Sequence, residues 1–314
     1  MNIRSNFFDD KTIAFLKNQN ALKPALLSVG LEDGFCRCNI CQHRCKISKG
    51  GVGVCRTIVN VDGMIYTTIY GAISSAAPDP IEKKPVFMFK PGTKVFSVGS
   101  LGCNFRCKFC QNWEIAYDNV LDNPNLCKWN ITPSKLVDMA IAYNCQGIAF
   151  TYNEPSIWLN YTYDCLREAK THNLYTVYVT NGYATPEHLD IIGKYLDVYR
   201  VDIKNTDPKA LRELTNAYLV DGIFESTEYI KKKYNTHVEC VTNIVPEWND
   251  SEENITKIAD WLFNSLGKDT PWHLTRFFPR AKMTESEPTP IQSLEKARDI
   301  ARKTGLVNIF LGNV

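Results

Sequence analysis

Long apolar runs are missing from this sequence. No stretch approaches the roughly 18 consecutive apolar residues that a membrane-spanning helix needs. Near its start the chain has two acidic residues, Asp9 and Asp10, where a secretion signal would have its apolar stretch. We therefore expect a cytoplasmic protein with no membrane partner.

A large excess of charge of one sign is also missing. The chain has 36 Lys and Arg against 34 Asp and Glu, a net charge of +2, which by itself indicates neither a nucleic-acid surface nor an acidic substrate. The only basic triplet, Lys231 to Lys233, ends a predicted helix, where cations are favoured in any case. A nucleic-acid partner is therefore not expected.

Cysteine, in contrast, is abundant. The sequence has twelve cysteines, and disulfides are rare in the cytosol, so another role is needed. Eight of them fall between Cys36 and Cys110. The other four are predicted to be small buried hydrophobes in regular structure: Cys127, Cys145, Cys165 and Cys240.

Four N-terminal cysteines have the spacing of a complete ligand set. Cys38, Cys41, Cys45 and Cys55 stand at C-x2-C-x3-C-x9-C, and nearby glycines permit tight turns. This pattern predicts a closed auxiliary site that holds zinc or a second Fe–S cluster. Reduced thiols without a metal are the alternative. Two further candidates, Cys36 and His43, lie within this stretch, and the spacing leaves their use open.

Three further cysteines follow a short apolar strand predicted over residues 95–99. Cys103, Cys107 and Cys110 stand at C-x3-C-x2-C, with Phe109 before the last of them. Three thiolates are one short of the four that hold an ordinary Fe–S cluster. A cluster held in this way leaves one iron open to another ligand, as in a catalytic metal site with a vacant position.

From residue 93 onward, predicted strands and helices alternate. The strands are expected at 95–99, 147–152, 174–181, 198–204, 238–245, 272–277 and 307–311. The helices are expected at 133–144, 155–172, 186–195, 207–234 (one helix or two), 251–266 and 290–304, with Thr132 and Ser251 as N-caps. Repeated βα units predict a parallel sheet with helices outside it.

We therefore predict an α/β chain in two parts. Residues 1–92 form a cysteine-rich segment with a short helical lead-in over residues 1–30 and a hairpin at 56–71, where Asp62-Gly63 makes the turn. Residues 77–85 are predicted to be a proline-broken, solvated loop. Residues 93–314 form the barrel domain.

Polar residues stand at the predicted carboxyl ends of the strands, where such folds place their working residues. After the cysteine loop of the first strand come Thr151 to Pro155, Thr180 to Gly182, Asp202 to Lys204, Pro246 to Asp250 and Arg276 to Pro279. Each has a structural alternative, such as a turn-forming asparagine or a loop charge. Their coincidence at one rim predicts an active site.

At this point the residues carry a resemblance. Cys103-x3-Cys107-x2-Cys110, with Phe109, resembles the signature of radical S-adenosylmethionine (SAM) enzymes. Asn153-Glu154-Pro155 resembles the superfamily motif that binds the amino group of the cofactor. Thr180 to Gly182 and Asp202 to Lys204 resemble further motifs of the branch that activates glycyl-radical enzymes.

Within that branch the chain resembles the radical SAM member of the AmmeMemoRadiSam system over almost its whole length. The N-terminal cysteines, the stretch from Pro80 to Pro85 and the final Leu311-Gly312-Asn313-Val314 are part of this likeness. The family pattern often continues into a short cysteine-bearing tail, which leaves open whether this sequence is shortened.

The resemblance implies a partial (β/α)6 barrel of the TIM type, with a [4Fe–4S] cluster on Cys103, Cys107 and Cys110 and SAM bound beside it. It also implies which residues contact SAM: Phe109 and Asn112 at the adenine, Asn153, Glu154, Thr180, Asn181 and Asp202 at the methionyl end, and Lys204 at the carboxylate.

The implied reaction is reductive cleavage of SAM to methionine and a 5′-deoxyadenosyl radical, which abstracts hydrogen from an unidentified substrate. The implied partners are an electron donor (ferredoxin or flavodoxin) and proteins similar to Memo and AMMECR1. Two other functions stay open. The chain could activate a glycyl-radical enzyme, or it could be a metal-stabilised module that binds nucleic acid or protein.

Overall fold

The computed structural model describes residues 10–117 and 124–314, and its N-terminal part forms two small sheets. Helix α1 (Asp10–Asn18) comes first, so residues 1–9 of the predicted lead-in lie outside the described residues. Six strands follow: β1 (Lys23–Pro24), β2 (Ser28–Gly30), β3 (Cys36–Cys38), β4 (Lys46–Ile47), β5 (Ile58–Val61) and β6 (Met64–Thr67). They pair in the orders β1-β6-β5 and β2-β3-β4.

The predicted hairpin is confirmed as β5 and β6. Val61 pairs with Met64 across the turn, and the two central residues, Asp62 and Gly63, have φ of 50° and 86°. Two positive φ values in a two-residue loop match the right-handed twist of the flanking strands, which explains why Asp-Gly is suited to this turn.

One eight-stranded sheet forms the rest of the fold. Its strands are β7 (Ser75–Pro80), β8 (Lys94–Gly99), β9 (Gly147–Phe150), β10 (Tyr175–Thr180), β11 (Val198–Asp202), β12 (His237–Ile244), β13 (Trp272–Arg276) and β14 (Ile309–Gly312). They lie in sequence order from β7 to β14, with β8 to β14 parallel and β7 antiparallel at the edge. The predicted parallel sheet is confirmed, and its open ends make it a partial barrel.

Helices connect the parallel strands. They are α2 (Trp113–Ala116), α3 (Pro133–Ala142), α4 (Leu159–Thr171), α5 (Pro186–Ile192), α6 (Pro208–Thr215), α7 (Val220–Tyr234), α8 (Glu252–Trp261) and α9 (Ile291–Thr304). Short 3₁₀ turns add Glu32–Gly34, Ile81–Lys83, Pro124–Leu126, Pro155–Trp158 and Gly193–Tyr195, and α8 continues as a π-helix over Leu262–Leu266.

The predicted helix starts are confirmed at two positions. The side chains of Thr132 and Ser251 accept hydrogen bonds from the backbone N–H groups of Lys135 and Asn254, both at 3.2 Å. Each bond satisfies a donor that the first helical turn leaves free. The stretch predicted at 207–234 is two helices, because Asn216 takes the left-handed conformation (φ 64°) that ends α6. No helix of the described residues is long and apolar enough to span a membrane.

The prediction of a solvated loop at 77–85 is wrong. Ser75–Pro80 is a strand, β7, and the side chains of Asp79 and Lys84 form a buried ion pair at 2.8 Å. An edge strand tolerates Pro78 and Pro80, because one side of its backbone has no partner strand. The division of the chain at residue 93 stays a prediction, and the large sheet begins before it.

The segment after β7 fills the amino end of the barrel. Ile81 and Val86 pack into the interior, and Glu239 of β12 holds the next turn by accepting the N–H groups of Phe87 and Met88 at 3.0 and 2.8 Å. The segment therefore forms the floor of the space above it, which opens at the carboxyl ends of the strands.

Candidate active site

A cavity of about 760 Å³ lies at the carboxyl ends of the parallel strands. All of the residues predicted to bind the catalytic cluster or SAM line it: Cys103, Cys107, Phe109, Cys110, Asn112, Asn153, Glu154, Thr180, Asn181, Asp202 and Lys204. They come from β8 to β11 and the segments that follow these strands. The parallel sheet brings them together because it turns the carboxyl end of every strand to the same side.

The cysteine loop leaves β8 through Gly102, whose φ of 79° favours glycine. A Cβ at this position would lie 2.6 Å from the Thr57 side chain and 2.7 Å from the Cys55 carbonyl oxygen. From β9, the amide of Asn153 accepts the Ser100 N–H at 3.0 Å and donates to the Gly102 carbonyl at 2.9 Å. Asn153 thus positions the backbone that leads into Cys103.

Arg106 holds the same loop from the other side. Its guanidinium donates to the carbonyl oxygens of Cys103 and Phe105 within the loop, the latter at 2.8 Å. It also donates to the Val54 carbonyl at 3.1 Å, in the N-terminal part of the chain. One half-buried cation therefore satisfies carbonyl groups of two segments that are far apart in sequence.

The three thiols of the loop surround one space. Burial raises the pKa of Cys103 and Cys107 to about 12 and that of Cys110 to about 11, and each of the three thiols interacts electrostatically with another of the set. Buried thiols of this kind remain protonated until a bound metal replaces the proton.

The thiols fit an Fe–S cluster better than a single ion. In residues 10–117 and 124–314, no group of three or more His, Cys, Asp or Glu side chains is arranged to hold one metal ion. A cubane cluster requires a different arrangement, because each cysteine binds a separate iron around the cluster. Three thiols that line one cavity meet this requirement.

Glu154 is a buried carboxylate at the wall of the cavity. Its Oε1 accepts hydrogen bonds from the N–H and hydroxyl of Ser156 (3.0 and 2.6 Å) and from the Thr180 hydroxyl (2.7 Å). Among the described residues, its Oε2 accepts only the Asn181 N–H, at 2.8 Å. The side chain forms no ion pair with any residue that the structure describes, and burial raises its pKa. Oε2 therefore has unused capacity to accept a hydrogen bond from a cationic ligand.

Asp202 lies between two cations. Arg200 pairs with one carboxylate oxygen, and Lys204 Nζ lies 3.3 Å from the other. Burial alone would raise the pKa of Asp202, but Arg200 and Lys204 outweigh it and lower that pKa. Lys204 also lies 5.6 Å from the centre of the Phe109 ring, so it borders the space next to the cysteines.

Two asparagines of the predicted cofactor set hold other parts of the site. Asn181 Nδ2 donates to Asn104 Oδ1 at 2.8 Å, and Asn112 Nδ2 donates to the Tyr152 carbonyl at 2.7 Å. Tyr152 has φ of 71°, an uncommon value for a bulky residue that often marks a functional site. These bonds tie the cysteine loop to the ends of β9 and β10.

Sequence reasoning missed several residues of the cavity. Lys83 lies in the stretch predicted to be a loop, and Asn243 and Thr275 lie inside predicted strands, yet all three line the cavity. A polar residue within an otherwise apolar strand was the available signal. Residues 246–250, which follow the predicted fifth strand, do not line the cavity. Asn249 Oδ1 accepts the Val245 N–H at 2.7 Å, so Asn249 acts as a turn former.

The N-terminal cysteines lie next to the cysteine loop, since Arg106 of that loop donates to the Val54 carbonyl, one residue before Cys55. Cys38, Cys41, Cys45 and Cys55 interact electrostatically with one another, and Thr57 Oγ1 donates to Cys55 Sγ at 3.3 Å. None of the chain's cysteines, all of which lie in the described residues, is in a disulfide. The four thiols are therefore neighbours, but like the other thiols of the described residues they are not arranged to hold one metal ion, and the metal predicted for them stays a prediction.

Both spare ligand candidates of this region have other contacts. Cys36 Sγ lies 2.9 Å from the Gly63 carbonyl, and His43 Nε2 lies 2.9 Å from the Asn104 carbonyl. The contact of His43 links the N-terminal cysteine group to the loop that carries Cys103. The two groups of cysteines are therefore neighbours in space, although about fifty residues separate them in sequence.

Comparisons with known proteins agree with this geometry. The model of the family described as "Radical SAM superfamily" matches residues 97–262, slightly more than half of the chain. The chain belongs to the radical SAM superfamily. This membership implies an enzyme that uses a [4Fe–4S] cluster and SAM, and radical SAM enzymes in general take electrons from reductants such as flavodoxin or ferredoxin.

Several relatives of this radical SAM protein are similar over much of its length. An uncharacterised protein of Methanocaldococcus jannaschii is 38% identical over 93% of this chain and 86% of its own length. A putative glycyl-radical enzyme activating enzyme of the same organism is 26% identical over 68% of this chain and 76% of its own length. A pyruvate formate-lyase-activating enzyme of Clostridium pasteurianum is 28% identical over 52% of this chain and 67% of its own length.

Solved structures support the fold. A radical SAM methyltransferase from Sphaerobacter thermophilus matches with a TM-score of 0.57 at 14% identity, over 97% of this chain and 82% of that protein. SuiB of Streptococcus suis bound to S-adenosylmethionine matches with a TM-score of 0.51 at 15% identity, over 68% of this chain and 48% of that protein. At these identities the likeness concerns the fold alone.

Proposed function

We propose that this protein cleaves SAM reductively at a [4Fe–4S] cluster held by Cys103, Cys107 and Cys110, and abstracts hydrogen from a substrate that is still to be identified. The observation that carries the proposal is Glu154, a buried carboxylate without a cationic partner among the described residues, in the same cavity as the three thiols. An unpaired buried charge is unfavourable, so the site is suited to a ligand that brings an amine.

The residues of the cavity then have distinct tasks. When bound, a cluster reduced by one electron from a donor such as ferredoxin or flavodoxin would pass that electron to the sulfonium of SAM, which would yield methionine and a 5′-deoxyadenosyl radical for hydrogen abstraction. Glu154 accepts a hydrogen bond from the amine of SAM, and Lys204 pairs with its carboxylate. Phe109 borders the adenine. Asn153 and Arg106 hold the cysteine loop, so they position the three thiolates.

The central test replaces Cys103, Cys107 and Cys110 together with alanine. After anaerobic reconstitution, we expect this variant to lose about four irons per chain and all formation of 5′-deoxyadenosine. A matched control replaces three buried cysteines away from the cavity, Cys127, Cys145 and Cys165. If the first variant still cleaves SAM, the proposed site is wrong.

We also propose that Cys38, Cys41, Cys45 and Cys55 hold a second metal centre. Two observations support this proposal: the four thiols interact electrostatically with one another, and Thr57 donates a hydrogen bond to the Cys55 sulfur. Metal analysis of the triple cysteine variant isolates this centre. Four residual irons indicate a cluster, about one zinc indicates a structural site, and the absence of both contradicts the proposal.

A second candidate function is activation of a glycyl-radical enzyme. Relatives named as activating enzymes favour it, although at 26–28% identity. It requires a large protein partner, and a glycyl EPR signal on that partner is the decisive measurement. The AmmeMemoRadiSam assignment predicts Memo-like and AMMECR1-like partners instead, together with a cytoplasmic location. Co-purification with those partners from the source cells distinguishes the two assignments.

A further inference from the structure

The cavity also contains a cation, Arg276, that has no role in SAM binding as proposed above. Arg276 is the last residue of β13, is half-buried and lines the cavity. Its Nε donates to the Thr289 carbonyl at 2.7 Å, and its guanidinium carbon lies 5.0 Å from the centre of the Phe278 ring. These contacts fix the guanidinium in place and leave its two terminal nitrogens without a hydrogen-bond acceptor in the described part of the chain.

The other cations of the cavity already have acidic partners. Arg200 and Lys204 both pair with Asp202, and Lys83 Nζ lies 2.6 Å from Asp79. No carboxylate of residues 10–117 or 124–314 forms an ion pair with Arg276. Arg276 is therefore the cavity-lining cation that has no anionic partner within the described residues.

The neighbours of Arg276 add a further donor. Thr275 lines the cavity, and its hydroxyl oxygen accepts a hydrogen bond from Asn243 Nδ2 at 3.1 Å. The hydroxyl hydrogen has no acceptor among the described residues and is free to bind a ligand. Asn313, just after β14, donates to the Arg276 carbonyl at 3.3 Å and so fastens the backbone.

The position of this group separates it from the site proposed for SAM. Glu154 follows β9 and Thr180 ends β10, whereas Arg276 ends β13, three strands along the sheet from β10. Asp202 and Lys204, at the end of β11, lie between the two. The cavity thus has an unpaired anion toward one side and an unpaired cation toward the other.

We propose that Arg276 and Thr275 form a subsite for an anionic group of the substrate, a carboxylate or a phosphate. A guanidinium offers two parallel N–H donors that match the oxygens of either group, and a hydroxyl can supply a third. The subsite fixes the substrate by a charged group and so determines which of its hydrogens faces the SAM side of the cavity. This inference rests on the proposed function, because Glu154 and Lys204 are assigned to SAM.

The test measures anion binding to the anaerobically reconstituted, SAM-saturated protein. Equilibrium dialysis with radiolabelled succinate and, separately, with radiolabelled inorganic phosphate shows which group the subsite takes. We expect saturable binding of at least one of them. Arg276→Gln should weaken that binding by about tenfold or more, and Arg276→Lys by less, because an ammonium keeps the charge without the two-pronged geometry.

Two controls make the result specific. Arg280→Gln removes an exposed arginine four residues further on, outside the cavity lining, and should bind the anion as the wild type does. Thr275→Val tests the hydroxyl without a change of charge and should weaken binding to a smaller extent. Thermal melting of each variant separates loss of binding from loss of folding.

Three results would overturn the inference: no saturable binding of either anion by the wild type, equal binding by Arg276→Gln, or a matching loss of SAM affinity in that variant. The last would assign Arg276 to SAM itself. None of these results depends on SAM cleavage, so failure of the subsite and failure of the proposed function are distinguishable.

Discussion

Glu154→Gln is the sharpest perturbation that the site offers. The substitution keeps the size of the side chain and removes its negative charge. The amide oxygen can still accept the three bonds now made to Oε1, from the N–H and hydroxyl of Ser156 and from the Thr180 hydroxyl. The new NH₂ group would face the Asn181 N–H, which then loses its acceptor.

The two consequences differ in size and in kind. Loss of a hydrogen bond between an ammonium and a carboxylate weakens SAM binding by about 1.5–3 kcal/mol, or roughly 10- to 150-fold in Kd. The stranded Asn181 N–H destabilises the fold by about 1–3 kcal/mol, and removal of a buried charge offsets part of that loss. We therefore expect a folded protein with normal iron content and much weaker SAM binding.

Anaerobic equilibrium dialysis with radiolabelled SAM measures the affinity, and iron analysis of the same samples measures the cluster. Glu114→Gln is a suitable control, since Glu114 is exposed, close to the cysteine loop in sequence and outside the cavity lining. An unchanged SAM affinity in Glu154→Gln would refute the assignment of this carboxylate to the amine of SAM.

Two further predictions concern the framework of the site. Gly102→Ala should lower the free energy of unfolding by about 2–4 kcal/mol and reduce iron uptake, because the backbone is strained and the new Cβ would lie 2.6 Å from the Thr57 side chain and 2.7 Å from the Cys55 carbonyl oxygen. Gly63→Ala is the control, since Gly63 has a similar φ and a Cβ there would meet nothing within 4 Å. It should lower the free energy of unfolding, measured in urea, by about 1 kcal/mol. For Glu239, burial would raise the pKa, but His237, His273 and two backbone N–H groups outweigh it and lower the pKa from 4.5 to about 2. A carboxyl group whose pKa is lowered by folding stabilises the fold above pH 4.5, and this contribution is lost as the pH falls toward 2. Glu239→Gln should therefore lower the free energy of unfolding by about 3 kcal/mol at pH 7 and by much less at pH 2. An equal loss at both pH values would contradict this account.

Local sequence patterns predict the elements of the barrel and most of the polar residues at its rim. Parallel strands that are buried on both faces must be apolar, and their helices need caps such as Thr132, so both signals are local and readable. The spacing of Cys103, Cys107 and Cys110 is local too. The structure places these residues around one cavity, because a parallel sheet turns the carboxyl ends of its strands to the same side, and their roles stay a prediction.

The pairing of charges, in contrast, is visible only once the chain has folded. The sequence predicts a solvated loop at Asp79 and Lys84, but the fold buries these two residues against each other. The partners of Glu154 and the absence of an ion pair at Arg276 in the described residues depend on neighbouring strands. The contact between His43 and the Asn104 carbonyl, which joins the two groups of cysteines, likewise spans 61 residues. Such contacts follow from the packing of distant segments, and no local pattern encodes them, because the energy of a charge depends on what the fold brings beside it.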